Sequence, residues 1–127
     1  MNHPFIAKHG PILVEAEVTG PARSLALTLI LDTGATTSLI KESVLLVLGF
    51  DLASVTDRVR MTTGSVVTTV PRVVLTRLTT LGQQRIGFPV LAYTLPASVS
   101  VSGLLGLDFL RGQVLTLDFR AGQITLM

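Results

Sequence analysis

One carboxylate in this chain stands where a carboxylate is costly. Leu29-Ile30-Leu31 runs directly into Asp32-Thr33-Gly34-Ala35, and Thr36-Thr37-Ser38-Leu39-Ile40 follows at once. No Lys or Arg flanks Asp32 in the sequence. A carboxylate at the end of a buried apolar strand must be hydrated, hydrogen-bonded or protonated. Such a group is a candidate acid or base in proton transfer. Gly34 lets the backbone turn tightly and approach another chain or a ligand closely. Thr33 adds a hydroxyl that both donates and accepts.

Two further stretches stand in a meaningful order behind it. Met61-Thr62-Thr63-Gly64-Ser65-Val66 reads as the tip of a hairpin, and Gly103-Leu104-Leu105-Gly106-Leu107-Asp108-Phe109-Leu110 as an apolar pair plus Gly leading into a short helix. The three together resemble the catalytic turn, flap and second signature of the retropepsin-like aspartic peptidases. These are the single-lobed, retroviral-type group, and the likeness spans residues 11–119.

The resemblance implies an all-β fold: a closed, barrel-like single lobe with a flap hairpin and one or two short helices, acting as a two-fold homodimer. It implies an endopeptidase that hydrolyses peptide bonds with water, without metal, cofactor or covalent intermediate. Asp32, Thr33 and Gly34 would be the catalytic turn, with Thr33 bonding across the dimer axis. Substrate would be a peptide or protein, bound as an added strand. Ala35, the flap residues Thr62, Thr63, Gly64 and Ser65, and Leu104 and Leu105 would lie against it.

That chemistry needs two carboxylates facing one water, one ionised and one protonated. Two carboxyls held close share a proton because both cannot ionise together. Asp108 is the candidate partner within the chain. It lacks a following Thr/Ser-Gly turn, however, and an Asp at a helix start has a structural use in accepting backbone N–H groups. A second copy of Asp32 across a two-fold axis is the better partner. A non-catalytic dimeric peptide-binding module on the same fold is the alternative reading.

Two departures separate the chain from the viral pattern. The acidic residue after the turn and the Arg after the second-signature Gly, which pair in viral enzymes, are here Thr36 and Leu107. The chain also continues into an extra strand over residues 123–127. Both place it nearer the cellular and bacterial members.

Composition narrows the rest. The chain has 127 residues, enough for one domain, read as an arm over residues 1–10 and a domain over 11–127. Hydrophobic residues make up 48% and charged residues 14%, which suggests either a membrane protein or extra burial by self-association. The first is disfavoured, since no apolar run approaches the about 18 residues of a spanning helix and the first ten residues lack a signal-peptide core. A soluble, cytoplasmic protein is expected. Cysteine is absent, which excludes disulfides and thiolate chemistry. The net charge is +2 from scattered arginines, with no basic run for nucleic acid. His3 and His9 have no neighbouring ligand type and read as part of a solvated arm.

Elements follow from periodicity. Val14, Ala16 and Val18 alternate with polar residues, as do Leu25, Leu27, Leu29 and Leu31, so a hairpin should deliver Asp32. Residues 41–48 read as a helix ended by Gly49 and capped by Ser38 or the Thr36-Thr37 pair, with Val44, Leu45, Val47 and Leu48 in the core. Pro71 should end the flap hairpin, and residues 82–84 should turn. Pro89 marks the segment 86–95 as an edge or bulged strand. Residues 96–102 read as a loop, 108–111 as a short helix and 115–126 as a last hairpin.

Overall fold

The alternation at the start of the chain becomes the first wall of a closed barrel. In a computed structural model, described at residues 1–94 and 100–127, β2 (Leu13–Thr19) pairs antiparallel with β3 (Ser24–Leu31), from Leu13 opposite Ile30 to Thr19 opposite Ser24. Val14, Ala16 and Val18 share the inner face with Leu27, Leu29 and Leu31, all buried. The segment read as an arm puts a short strand, β1 (Asn2–Pro4), on the C-terminal strand of the same chain.

Beyond Asp32 the chain forms β4 (Leu39–Lys41) and the helix α1 (Glu42–Val47). Gly49, at φ +104°, ends the helix: its N–H donates to the Leu46 carbonyl, and the Phe50 N–H reaches back to that of Leu45. This is the Schellman pattern, which favours Gly at that place. The helix start departs from expectation. Neither Ser38 nor a threonine caps it; Lys41 is the N-cap residue and supplies no side-chain cap. Leu45 and Leu48 are fully buried, but Val47 is 49% exposed and takes no place in the core.

β5 (Arg58–Thr63) and β6 (Val66–Thr80) form the central hairpin, turning at Gly64-Ser65. Pro71 does not end β6, contrary to the sequence reading. It lies where β6 leaves β5 and takes β7 (Gln83–Tyr93) as its partner, Arg58 facing Pro71 and Leu91 facing Arg72. A residue without an N–H is tolerated at such a change of partner. The β6–β7 turn is Leu81-Gly82, both at positive φ, so Gln83 and Gln84 already belong to β7. Pro89 pairs with Val74 of β6 and precedes the first β4 contact at Leu91, so on its other side β7 is still an edge.

β8 (Gly103–Leu105) runs parallel to β3 and antiparallel to β4. The helix α2 (Leu107–Leu110) follows. Pairing of β2 with β6, from Ala16 opposite Thr80 to Thr19 opposite Arg77, closes the order β2-β3-β8-β4-β7-β6 on itself. β9 (Leu115–Asp118) and β10 (Gln123–Leu126) complete a small sheet with β1, and Ile124 and Leu126 plug the core. Of the loop expected at 96–102, residues 96–99 lie outside the described residues.

The barrel is filled by Leu29, Ile40, Leu45, Leu75, Leu78, Leu105 and Phe109, all almost wholly buried. Each contributes about 1.5–3 kcal/mol by leaving water. Phe88 meets Phe109 edge-on at 5.9 Å, and the Arg85 guanidinium lies 4.4 Å over the Phe109 ring. The tightest backbone crossing is at Gly103, where an added Cβ would stand 2.0 Å from the Leu39 carbonyl oxygen. Gly103→Ala must push β8 and β4 apart. We expect it to lower the unfolding free energy by about 3 kcal/mol, read from denaturant curves.

Candidate active site

The site is built where three strands end together. β3 brings Asp32 to the rim of the barrel, and the Asp32 N–H donates to the Leu105 carbonyl of β8 at 2.9 Å. The Ala35 N–H then closes a turn onto the Asp32 carbonyl at 3.2 Å. The Gly34 N–H donates to Oδ1 of the Asp32 carboxylate at 2.9 Å. Of the three ways of accommodating Asp32 that the sequence left open, hydration, hydrogen bonding or protonation, this contact is the second. A Cβ on Gly34 would stand 3.1 Å from that same oxygen, so any side chain there would press on the carboxylate. Asp32 itself is half-buried, while Thr33 and Gly34 are exposed.

Across from the turn lies strand β5, through residues 59–62, and between them is a cleft of about 450 Å³. Of the residues singled out in the sequence, Asp32, Gly34, Ala35 and Thr62 line it. Among the cleft's described lining residues, Asp32 is the one carboxylate. The other expected residues stand elsewhere. Thr33 is exposed and does not line the cleft. Gly64 and Ser65 are the exposed tip of the hairpin, beyond the lining, and the side chain of Thr63 lies outside the described residues. Leu104 is half-buried and Leu105 fully buried. Leu105 therefore serves Asp32 through its backbone carbonyl alone, because its side chain points into the core.

The sequence reading missed the cleft's apolar walls. Leu39, Leu91, Val59 and Met61 line it, with Thr36, Thr37 and Arg60. Four consecutive residues of β5, Val59 to Thr62, line it, so strand alternation gave no signal that separates the walls. Leu39 and Leu91 are indistinguishable in sequence from core residues.

The turn is tied to the second signature. The Leu107 N–H donates to the Ala35 carbonyl at 2.8 Å. Thr36 and Leu107 leave no ion pair between the two segments. One residue further along, Asp108 takes the Ser38 N–H on Oδ2 at 2.9 Å and the Ser38 hydroxyl on Oδ1 at 2.7 Å. Both carboxylate oxygens of Asp108 are thereby engaged, and Asp108 does not line the cleft.

The base of the hairpin carries an exposed bidentate pair, Arg72 Nε to Asp57 Oδ2 at 2.8 Å and Arg72 Nη2 to Oδ1 at 3.1 Å. The Arg72 N–H also donates to the Asp57 carbonyl at 2.8 Å. The hydrogen bond from Arg72, helped by its charge, holds the Asp57 carboxyl below its ordinary 3.8. A depressed carboxyl stabilises the fold above that ordinary value and loses its contribution as pH falls through the lowered one. With both side chains about half exposed, solvent screens the pair and its effect on global stability is small. An NMR titration should place the Asp57 midpoint below 3.8, and Arg72→Gln should return it toward that value.

Comparison with known proteins adds three findings. The model of a family described as aspartyl protease matches residues 14–109. The fold is similar to the crystal structure of a retropepsin-like aspartic protease from Rickettsia conorii, with a TM-score of 0.75, 17% identity, and coverage of 99% of this chain and 89% of that one. It is also similar to the retroviral protease-like domain of Ddi1 from Leishmania major, with a TM-score of 0.62, 15% identity, and coverage of 94% and 96%. No curated protein matches the sequence. No helix among the described residues is long and apolar enough to cross a membrane.

Proposed function

The chain belongs to the aspartyl protease family and has a retropepsin-like single lobe, and from that premise we propose that it is a homodimeric aspartic endopeptidase. The observation that carries the reading is Asp32. Its carboxylate stands half-buried in the wall of an open cleft, with one oxygen held by the Gly34 N–H. Asp-Thr-Gly occurs once in the chain, and Asp108 is spent on Ser38. The second carboxylate then comes from Asp32 of another copy, brought close by a two-fold axis.

In this reading the two Asp32 carboxyls share one proton. The ionised one takes a proton from a water between them, and the water oxygen attacks the peptide carbonyl carbon. The protonated one gives its proton to the carbonyl oxygen. The tetrahedral product collapses, the C–N bond breaks, and the amine leaves with a proton returned through the pair. Thr33, exposed beside the cleft, bonds across the axis and holds the two turns in register. The β5–β6 hairpin acts as a flap that excludes bulk water from the reaction. An extended peptide lies beneath it against Ala35 and Thr62, with apolar side chains against Val59, Met61, Leu39 and Leu91.

The test is cleavage of an unbiased peptide mixture between about pH 3 and about pH 7, the range in which a shared-proton carboxyl pair works. Discrete internal cuts, enriched in apolar residues at the scissile bond, are the expected result. A folded dimer that binds peptides and cuts none contradicts the reading.

A further inference from the structure

We propose that Asp108 is a positioning residue for Asp32, acting through Ser38 to fix the distance between the reacting carboxyls. The geometry is independent of the proposed function; its consequence for turnover rests on that reading. Ser38 is 2% exposed, and each of its polar groups is taken. Its N–H and hydroxyl both go to Asp108, at 2.9 and 2.7 Å. Its Oγ accepts the Gly106 N–H at 3.0 Å, and its carbonyl accepts the Leu91 N–H at 3.1 Å.

Asp108 stands in the first turn of α2, a helix with no side-chain cap, where the Leu107 N–H goes to the Ala35 carbonyl and the Phe109 N–H to the Gly106 carbonyl. Asp108 commits both oxygens to a residue 70 positions away. The expenditure makes sense when the turn is considered whole. Asp32 is bonded to Leu105 at one end, Ala35 to Leu107 in the middle, and Ser38 to Gly106 and Asp108 at the other end. Gly106 completes the contact, since a Cβ there would stand 2.6 Å from the Ala35 carbonyl oxygen. Residues 105–108 are thus a rail to which residues 32–38 are fastened along their length.

A dyad that shares a proton depends on its spacing, and any movement of the turn occurs on both sides of a two-fold axis. Loosening the Ser38 end lets both Asp32 carboxyls drift. Misplacement of about 1 Å is enough for a loss of about 100-fold.

The experiment compares wild type with Ser38→Ala, Ser38→Thr and Asp108→Asn, using steady-state cleavage and amide hydrogen exchange on the same dimeric samples. Ser38→Ala should lower kcat about 100-fold, a larger effect than its change in KM, since Ser38 does not itself line the cleft. The acid limb of its kcat/KM profile should move, because the shared-proton pair is respaced. Asp108→Asn, which keeps one acceptor, should fall between, and Ser38→Thr should recover most of the loss. Exchange over residues 32–38 should quicken at least about tenfold while the barrel strands keep their protection. Wild-type kcat and pH profile in Ser38→Ala and Asp108→Asn would overturn the proposal. So would a loss of kcat that tracks loosening of the whole barrel. If wild type itself makes no Asp32-dependent cut, the proposed function fails; unchanged exchange at the turn would then overturn the fastening by itself.

Discussion

Asp32→Asn should reduce peptide cleavage by at least about 10³-fold while leaving the barrel and its association intact. The size of the effect follows from the residue's two uses. In a symmetric pair one Asp32 accepts the water's proton and the other supplies a proton to the carbonyl, and the substitution removes both at once. The survival of the fold follows from the geometry. Asp32 accepts the Gly34 N–H on Oδ1, and the amide oxygen of Asn accepts the same bond. The Asp32 N–H to the Leu105 carbonyl is a backbone bond and is unaffected. Thermal unfolding and sedimentation of the variant should therefore match wild type. Undiminished cleavage would show that the reaction runs on other groups. Loss of cleavage with loss of fold would show that Asp32 is there for the architecture.

Specific activity should fall on dilution, and steeply. If the site forms only between two copies, the active species scales with the square of chain concentration below the dissociation constant. A tenfold dilution in that range should cut total rate about 100-fold. The supporting observations are the single Asp-Thr-Gly turn and the full engagement of Asp108 by Ser38, which leave one candidate carboxylate in each chain's cleft. A peptide bound across the cleft should shift the dependence to lower concentration, because it bridges both halves. Cleavage measured against dilution, alongside sedimentation, checks this. Specific activity that stays constant while sedimentation reports monomer would place a complete site within one chain.

The parts of this fold that were legible in the sequence are those dictated by local period. Val14, Ala16 and Val18 against Leu27, Leu29 and Leu31 gave the β2–β3 hairpin and hence the position of Asp32. Gly49 gave the helix end. What could not be read depends on partners distant in the chain. Pro71 is a strand breaker by local rules, yet it sits harmlessly where β6 changes from β5 to β7. Ser38 has the composition of a helix cap but is claimed by Asp108 and Gly106 from the far signature. Leu104 and Leu105 lie in a strand flanked on both sides, where an apolar pair does not announce which member faces the core. The cleft's apolar walls, Leu39 and Leu91, meet only through the β4–β7 pairing.

The central claim, that two copies of Asp32 make one site, is tested most directly by mixing. Wild type held at constant amount is allowed to exchange subunits with increasing Asp32→Asn chain, at a concentration where association is complete. If each site needs Asp32 from both copies, mixed dimers are dead, and an equal amount of variant should reduce the activity to about one half, falling further with excess. Activity that stays at the wild-type level through a large excess of exchanged variant would mean that one chain carries its own site, and would contradict the account.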